Sequence, residues 1–97
     1  MSAAALDTER VDAAKLYAVY LGGELAPGRM GEDHEVIHVV APDIREARRL
    51  AKEKWQGSGR PHVDAVLHLD VVDGYEVALE ASGRSGASVV DNTYDPE

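Results

Sequence analysis

Residues 15–21 read KLYAVYL and residues 35–41 read EVIHVVA, and these two stretches decide the fold. A period of two puts Leu16, Ala18 and Tyr20 on one face of the first and Tyr17, Val19 and Leu21 on the other, a strand that is apolar on both faces. The second stretch is built the same way, with only His38 interrupting it. Strands of this kind are covered on both sides. Between them lies GGELAPGRMGEDH, residues 22–34, too long for a tight hairpin and dense in Gly, Pro and charge. Loops of that length in a compact chain are mostly functional.

Working outward, Pro42 ends the second strand, and Asp43 with Glu46 three residues later has the form of a helix N-cap and capping box. The helix is expected to run to about Gln56, with Gly57 and Gly59 ending it. At 100° per residue Ile44, Ala47, Leu50, Ala51 and Trp55 form one apolar stripe, and Arg45, Arg48, Arg49 and Lys52 cluster opposite. From His62 the alternation resumes: Val63, Ala65, Leu67, Leu69 and Val71 on one face, His62, Asp64, Val66, His68 and Asp70 on the other. Tyr75, Val77 and Leu79 continue it after Asp73-Gly74. A two-residue turn there would set Val71 opposite Glu76 and place the two apolar sets on opposite faces. A three-residue loop with Gly74 as the left-handed residue pairs Val71 with Tyr75 and aligns them, so that register is expected.

The expected class is therefore α+β in the order β-β-α-β-β, a single mostly antiparallel sheet with one helix on one face. One helix covers only one face. The other is expected to meet either a short helix from the N-terminal residues or, in preference, a second copy of the chain, because a core this thin cannot leave it open to water.

Composition bounds the function. The 97 residues carry 10 Lys+Arg and 18 Asp+Glu, a formal charge of −8, and no Cys. A disulfide framework, a thiolate nucleophile and a zinc-thiolate site are excluded. The acidity and the lack of a basic groove with interleaved aromatics argue against nucleic acid. No apolar run is long enough for a membrane span, and MSAAALDTER has acids where a signal peptide needs bases, so a cytoplasmic, soluble chain is expected. Residues 15–80 read as one domain, residues 1–14 as an N-terminal extension, and residues 81–97, rich in Ser, Gly and Asp, as a flexible acidic tail.

If the helix joins strands two and three by a crossover, both start at the end of the sheet where strand one finishes. That rim collects Gly22, Gly23, Arg29, Glu32, Asp33 and His34 from the loop, and Arg60, His62 and Asp64 from strand three, with Trp55 close by. Arg29, Glu32, His34, His62 and Asp64 are the candidate ligand-binding residues. Arg29 would hold a ligand carboxylate or phosphate, His62 would exchange a proton or hydrogen bond, and Asp64 or Glu32 would orient it. His34 and His38 lie too far apart along a strand to share a metal. His62 and Asp64 share a face, so with His34 or Glu32 they have the donors for a metal ion or an acid/base pair. The reading settles on neither, and expects no metal and no cofactor. The segment from Gly23 to Arg29 fails as a phosphate loop, because Met30 replaces the hydroxyl residue and a strand follows where a helix is needed. Ser58, between Gly57 and Gly59, lacks the strand–turn–helix setting of a hydrolase nucleophile. Three roles stay open: a homodimeric module binding a small polar ligand or a protein; an enzyme with His62 or His34 as base; and an interaction module using Arg45, Arg48 and Arg49.

KLYAVYLGG (15–23), GRMGEDHEV (28–36), the helix ending at Trp55, HVDA (62–65) and VDGYEV (72–77) together resemble the uncharacterised bacterial family called domain of unknown function fifteen-forty-three, over about residues 15–79. The resemblance implies no activity. It implies that some members carry two copies of the domain in one chain, so a single-copy chain is expected to pair with itself. Gly28, Arg29, Glu32, His34, His62 and Asp64 all fall in the shared motifs.

Overall fold

The computed structural model describes residues 14–24, 26–28, 30–84 and 88. The extension expected over 1–14 and the tail expected over 81–97 lie outside these residues, apart from Ala14, residues 81–84 and Ser88. Strands β1 (Lys15–Glu24), β2 (Asp33–Ala41) and β3 (Ser58–His68) form an antiparallel sheet in the order β2-β1-β3, and helix α1 (Ile44–Lys54) connects β2 to β3. Since β1 runs against both neighbours, β2 and β3 point the same way and begin at the end where β1 finishes. The α+β class and the helix crossover follow the sequence pattern. No helix among the described residues is long and apolar enough to cross a membrane.

The core lies between this sheet and α1. Tyr17, Val19 and Leu21 of β1 and Ile37, Val39 and Ala41 of β2 pack against Ala47, Ala51 and Trp55, with Leu50, Val63 and Val66 at its margin. Asp43 caps the helix, its side chain accepting a hydrogen bond from the Glu46 amide at 2.9 Å. At the other end, Lys54 donates to the His38 carbonyl at 3.0 Å and ties the helix to β2. Ile44, expected in the apolar stripe, is half exposed at the first turn.

Strand β3 departs from the expected pattern in two ways. It begins at Ser58 rather than His62, accommodating Gly59 at φ 67° and Pro61 on an edge strand, where a missing amide costs no ladder bond. Its alternation also changes phase, because Leu21 of β1 pairs with Val63 while Tyr20 pairs with Ala65, leaving Asp64 as the extra residue of a bulge. Val63 and Val66 therefore both face the helix, whereas Ala65 and Leu67 turn to the other side. The unbroken alternation expected from Val63 to Val71 is corrected by this one inserted residue.

The fourth expected strand does not join the main sheet. The ladder of β3 with β1 closes at the Leu69 amide, which donates to the Leu16 carbonyl at 2.9 Å. Beyond that point β1 offers no partner, and the chain folds on itself as a small separate hairpin, β4 (Val71–Val72) with β5 (Tyr75–Glu76). Val71 pairs with Glu76 and Val72 with Tyr75, which corrects the expected register. Asp73 at φ 53° and Gly74 at φ 83° form a two-residue turn with both central residues left-handed, the geometry that matches strand twist. Aligning the apolar sets would have favoured the other register only if one face of the hairpin were buried. Val71, Val72 and Tyr75 are all exposed, so turn chemistry decides.

Candidate functional site

The face of the sheet away from the helix is built from Leu16, Ala18, Tyr20 and Gly22 of β1, Val40, His38, Val36 and His34 of β2, and Leu67, Ala65 and His62 of β3. Gly22 is paired on one side with His34 and on the other with His62. A Cβ at Gly22 would lie 2.7 Å from His62 Nε2 and 3.0 Å from His34 Cδ2, so the missing side chain is the space into which both rings lean. The two imidazoles thus approach each other across the central strand.

Two carboxylates flank them. His34 Nε2 is 3.3 Å from a Glu32 oxygen and 3.5 Å from an Asp64 oxygen; His62 Nε2 is 3.3 Å from the other Glu32 oxygen and 3.2 Å from the other Asp64 oxygen. Glu32 comes from the loop just ahead of β2, and Asp64 comes from the bulge. An unbulged β3 would place residue 64 on the same face by alternation, but the bulge gives it no cross-strand partner, which frees its side chain to lean toward the rings. The Tyr20 ring stacks on His34 with centroids 5.0 Å apart and planes 10° from parallel. Four of the five sequence candidates, Glu32, His34, His62 and Asp64, therefore converge, whereas Arg29 lies outside the described residues. All four are partly open to solvent. Beside them a groove of about 510 Å³ runs between Gly31-Glu32 and residues 58–62, with Arg60 and His62 in its wall.

The family model described as Domain of Unknown Function (DUF1543) matches residues 29–79, more than half of the chain. The chain belongs to this family. The DUF1543 span holds Glu32, His34, His62 and Asp64, and leaves β1, with Gly22 and Tyr20, outside it. Among solved structures the chain is similar to a protein Il1583 from Idiomarina loihiensis, at 38% identity and a TM-score of 0.62, over 72% of this chain and 50% of that one. The chain thus spans half the length of that relative. No curated protein matches it.

Two contributions to the candidate site were missed by residue patterns. The Tyr20 stack depends on Tyr20 and His34 lying diagonally across β1 and β2, and Gly22 was collected at the rim without its role as the floor. Neighbouring polar elements do different work. Trp55 packs its indole between Gly23 and Gly57 on the helix side, serving the core. His68 stacks obliquely on Tyr17 at 5.2 Å and stays apart from the cluster.

The basic helix stripe forms a second groove of about 540 Å³ with Arg60 and Pro61. Arg49 is committed there: it donates to Glu46 at 2.7 and 3.1 Å and also to Glu53. The Arg49 hydrogen bond, opposed by partial desolvation, holds the Glu46 carboxyl below its ordinary range, and Glu46 in turn raises the Arg49 guanidinium. Such i,i+3 and i,i+4 pairs are the usual dress of a solvated helix face.

Proposed function

We propose that this DUF1543 chain is a homodimeric binding module that takes a small polar ligand at the Glu32/His34/His62/Asp64 rim. The convergence of two imidazoles and two carboxylates over Gly22 carries the reading. The groove beside them supports it, being of the size that holds a small molecule. Arg60 in the groove wall, and Arg29 as the sequence places it in the loop, supply cations for a ligand carboxylate or phosphate. Inorganic phosphate and a short dicarboxylate, each titrated into the protein, are expected to move the ring resonances of His34 and His62 but not of His68. The double variant His34→Ala/His62→Ala should lose phosphate and dicarboxylate binding measured by calorimetry, with its circular dichroism unchanged, since both side chains are surface groups. Ring resonances that stay fixed with every probe would end the ligand reading.

The dimer reading rests on the open face. Tyr20 is 39% exposed, Val36 53%, Val40 50% and Leu67 58%, and they lie on three adjacent strands around the buried Ala18, an apolar patch rather than scattered side chains. A related chain twice the length of the matched segment has room for a second unit of this size, which this chain would gain by self-pairing. Sedimentation is expected to give a dimer, and Val36→Lys with Leu67→Lys, which sets two charges on each side of the face, a folded monomer. A monomeric parent protein would refute it.

A further inference from the structure

We propose that the rim holds a divalent transition-metal ion of the zinc type, ligated by His34, His62 and Glu32, with Asp64 as the remaining oxygen donor. This deepens the ligand-site reading and rests on it. One donor atom from each of Glu32, His34 and His62 lies within 4.8 Å of the others, and Asp64 stands 3.2 and 3.5 Å from the two ring nitrogens.

The spacing is looser than that of a closed hydrogen-bond cluster. Charge-assisted hydrogen bonds between imidazolium and carboxylate close to roughly 2.7–2.9 Å. The four nitrogen–oxygen separations here are 3.2, 3.3, 3.3 and 3.5 Å. Each carboxylate turns one oxygen to each ring, so two nitrogens and four oxygens gather at one spot, and an ion with bonds of about 2.0–2.2 Å would take one oxygen from each carboxylate. Imidazole nitrogens with carboxylate oxygens select zinc-like ions over magnesium or calcium, which take oxygen alone.

Placement and charge agree with this. The two histidines sit on the outer strands of one sheet and reach across a glycine, so the backbone already holds them at ligating range. Glu32 and Asp64 bring two negative charges that a dication offsets. Without one, they would repel the anionic ligand for which Arg60 stands ready; with one, the ion itself gives that ligand a partner.

Calorimetric titration of Zn²⁺ into chelator-treated protein tests the site. Saturable binding of one ion per chain is expected, with Mg²⁺ giving none, and Co²⁺ in its place giving the intense visible bands of a four-coordinate site. His34→Ala and His62→Ala should each weaken Zn²⁺ binding by about 100-fold or more, and Glu32→Gln by about 10-fold. His38→Ala, on the same face but outside the cluster, should change nothing. Absence of saturable Zn²⁺ uptake, or equal uptake by the folded His34→Ala/His62→Ala variant, overturns the proposal. In that event, phosphate or dicarboxylate that still moves the His34 and His62 resonances leaves a metal-free ligand site standing. If neither probe moves them, the ligand-site reading falls as well.

Discussion

Replacing Gly57 with alanine is expected to destabilise the domain by about 3 kcal/mol, the upper part of the range for overpacking a filled site. For a domain of this size that lowers the thermal midpoint by roughly 15 °C. The position joins the end of α1 to the start of β3, and a Cβ there would lie 2.1 Å from the Glu24 carbonyl oxygen and 2.6 Å from Trp55 Cζ2. Neither neighbour can yield cheaply. Glu24 is the last residue of β1, so its carbonyl moves only with the strand, and the indole is wedged between Gly23 and Gly57 in the core. Gly74→Ala is the comparison: Gly74 has a left-handed backbone, which Gly57 does not, but nothing within 4 Å, and its hairpin lies outside the main sheet, so its cost is local backbone strain without a clash. Thermal unfolding should separate the two variants clearly. A Gly57→Ala protein with the parent midpoint would show that the helix end is not fixed by this contact.

How far the pattern of residues could carry the fold follows from where burial constrains each element. Both faces of β1 and β2 are apolar and the helix is bounded by Pro42, Asp43 and Gly57, so local periodicity and capping were enough to place them. For β3 periodicity misleads: Val63, Ala65 and Leu67 alternate without a break, and only pairing with β1 reveals that Asp64 is inserted and that Val66 takes the core position. In the hairpin, the assumption that apolar residues must share a face failed because neither face is buried. The rim was legible for a topological reason. Once β2 and β3 run parallel to each other and against β1, the loop before β2 and the start of β3 have to meet at the end of β1. What topology could not supply was the depth of that meeting, which depends on rotamers, on the Tyr20 stack and on the absence of a side chain at Gly22.

The same reasoning changes what the charge of −8 says about function. Its excess lies largely in residues 1–14 and 80–97. The negative charge relevant to binding is the pair Glu32 and Asp64, set against two imidazoles that hold a full positive charge only when protonated. A local imbalance of this kind draws cations to one spot on the molecule, which overall net charge does not.

Gly22→Ala should do the reverse of Gly57→Ala, leaving the fold and removing the site. The new Cβ would meet His62 Nε2 at 2.7 Å and His34 Cδ2 and Nε2 at 3.0 and 3.1 Å, all of them far ends of side chains on the open face. Such groups swing aside at little cost, and alanine in a strand interior restricts the unfolded chain more than glycine does, so the thermal midpoint should hold or rise slightly. The rings, however, can no longer converge. Displacement of two ligating groups by about an ångström is expected to weaken binding at the rim by roughly 10- to 100-fold, whether the probe is Zn²⁺ or phosphate. It should also disturb the Tyr20 stack on His34, seen as altered ring-current shifts. Unchanged affinity in the folded Gly22→Ala variant would mean that the two histidines do not bind over the central strand, and that His34 and His62 act, if at all, as separate surface groups.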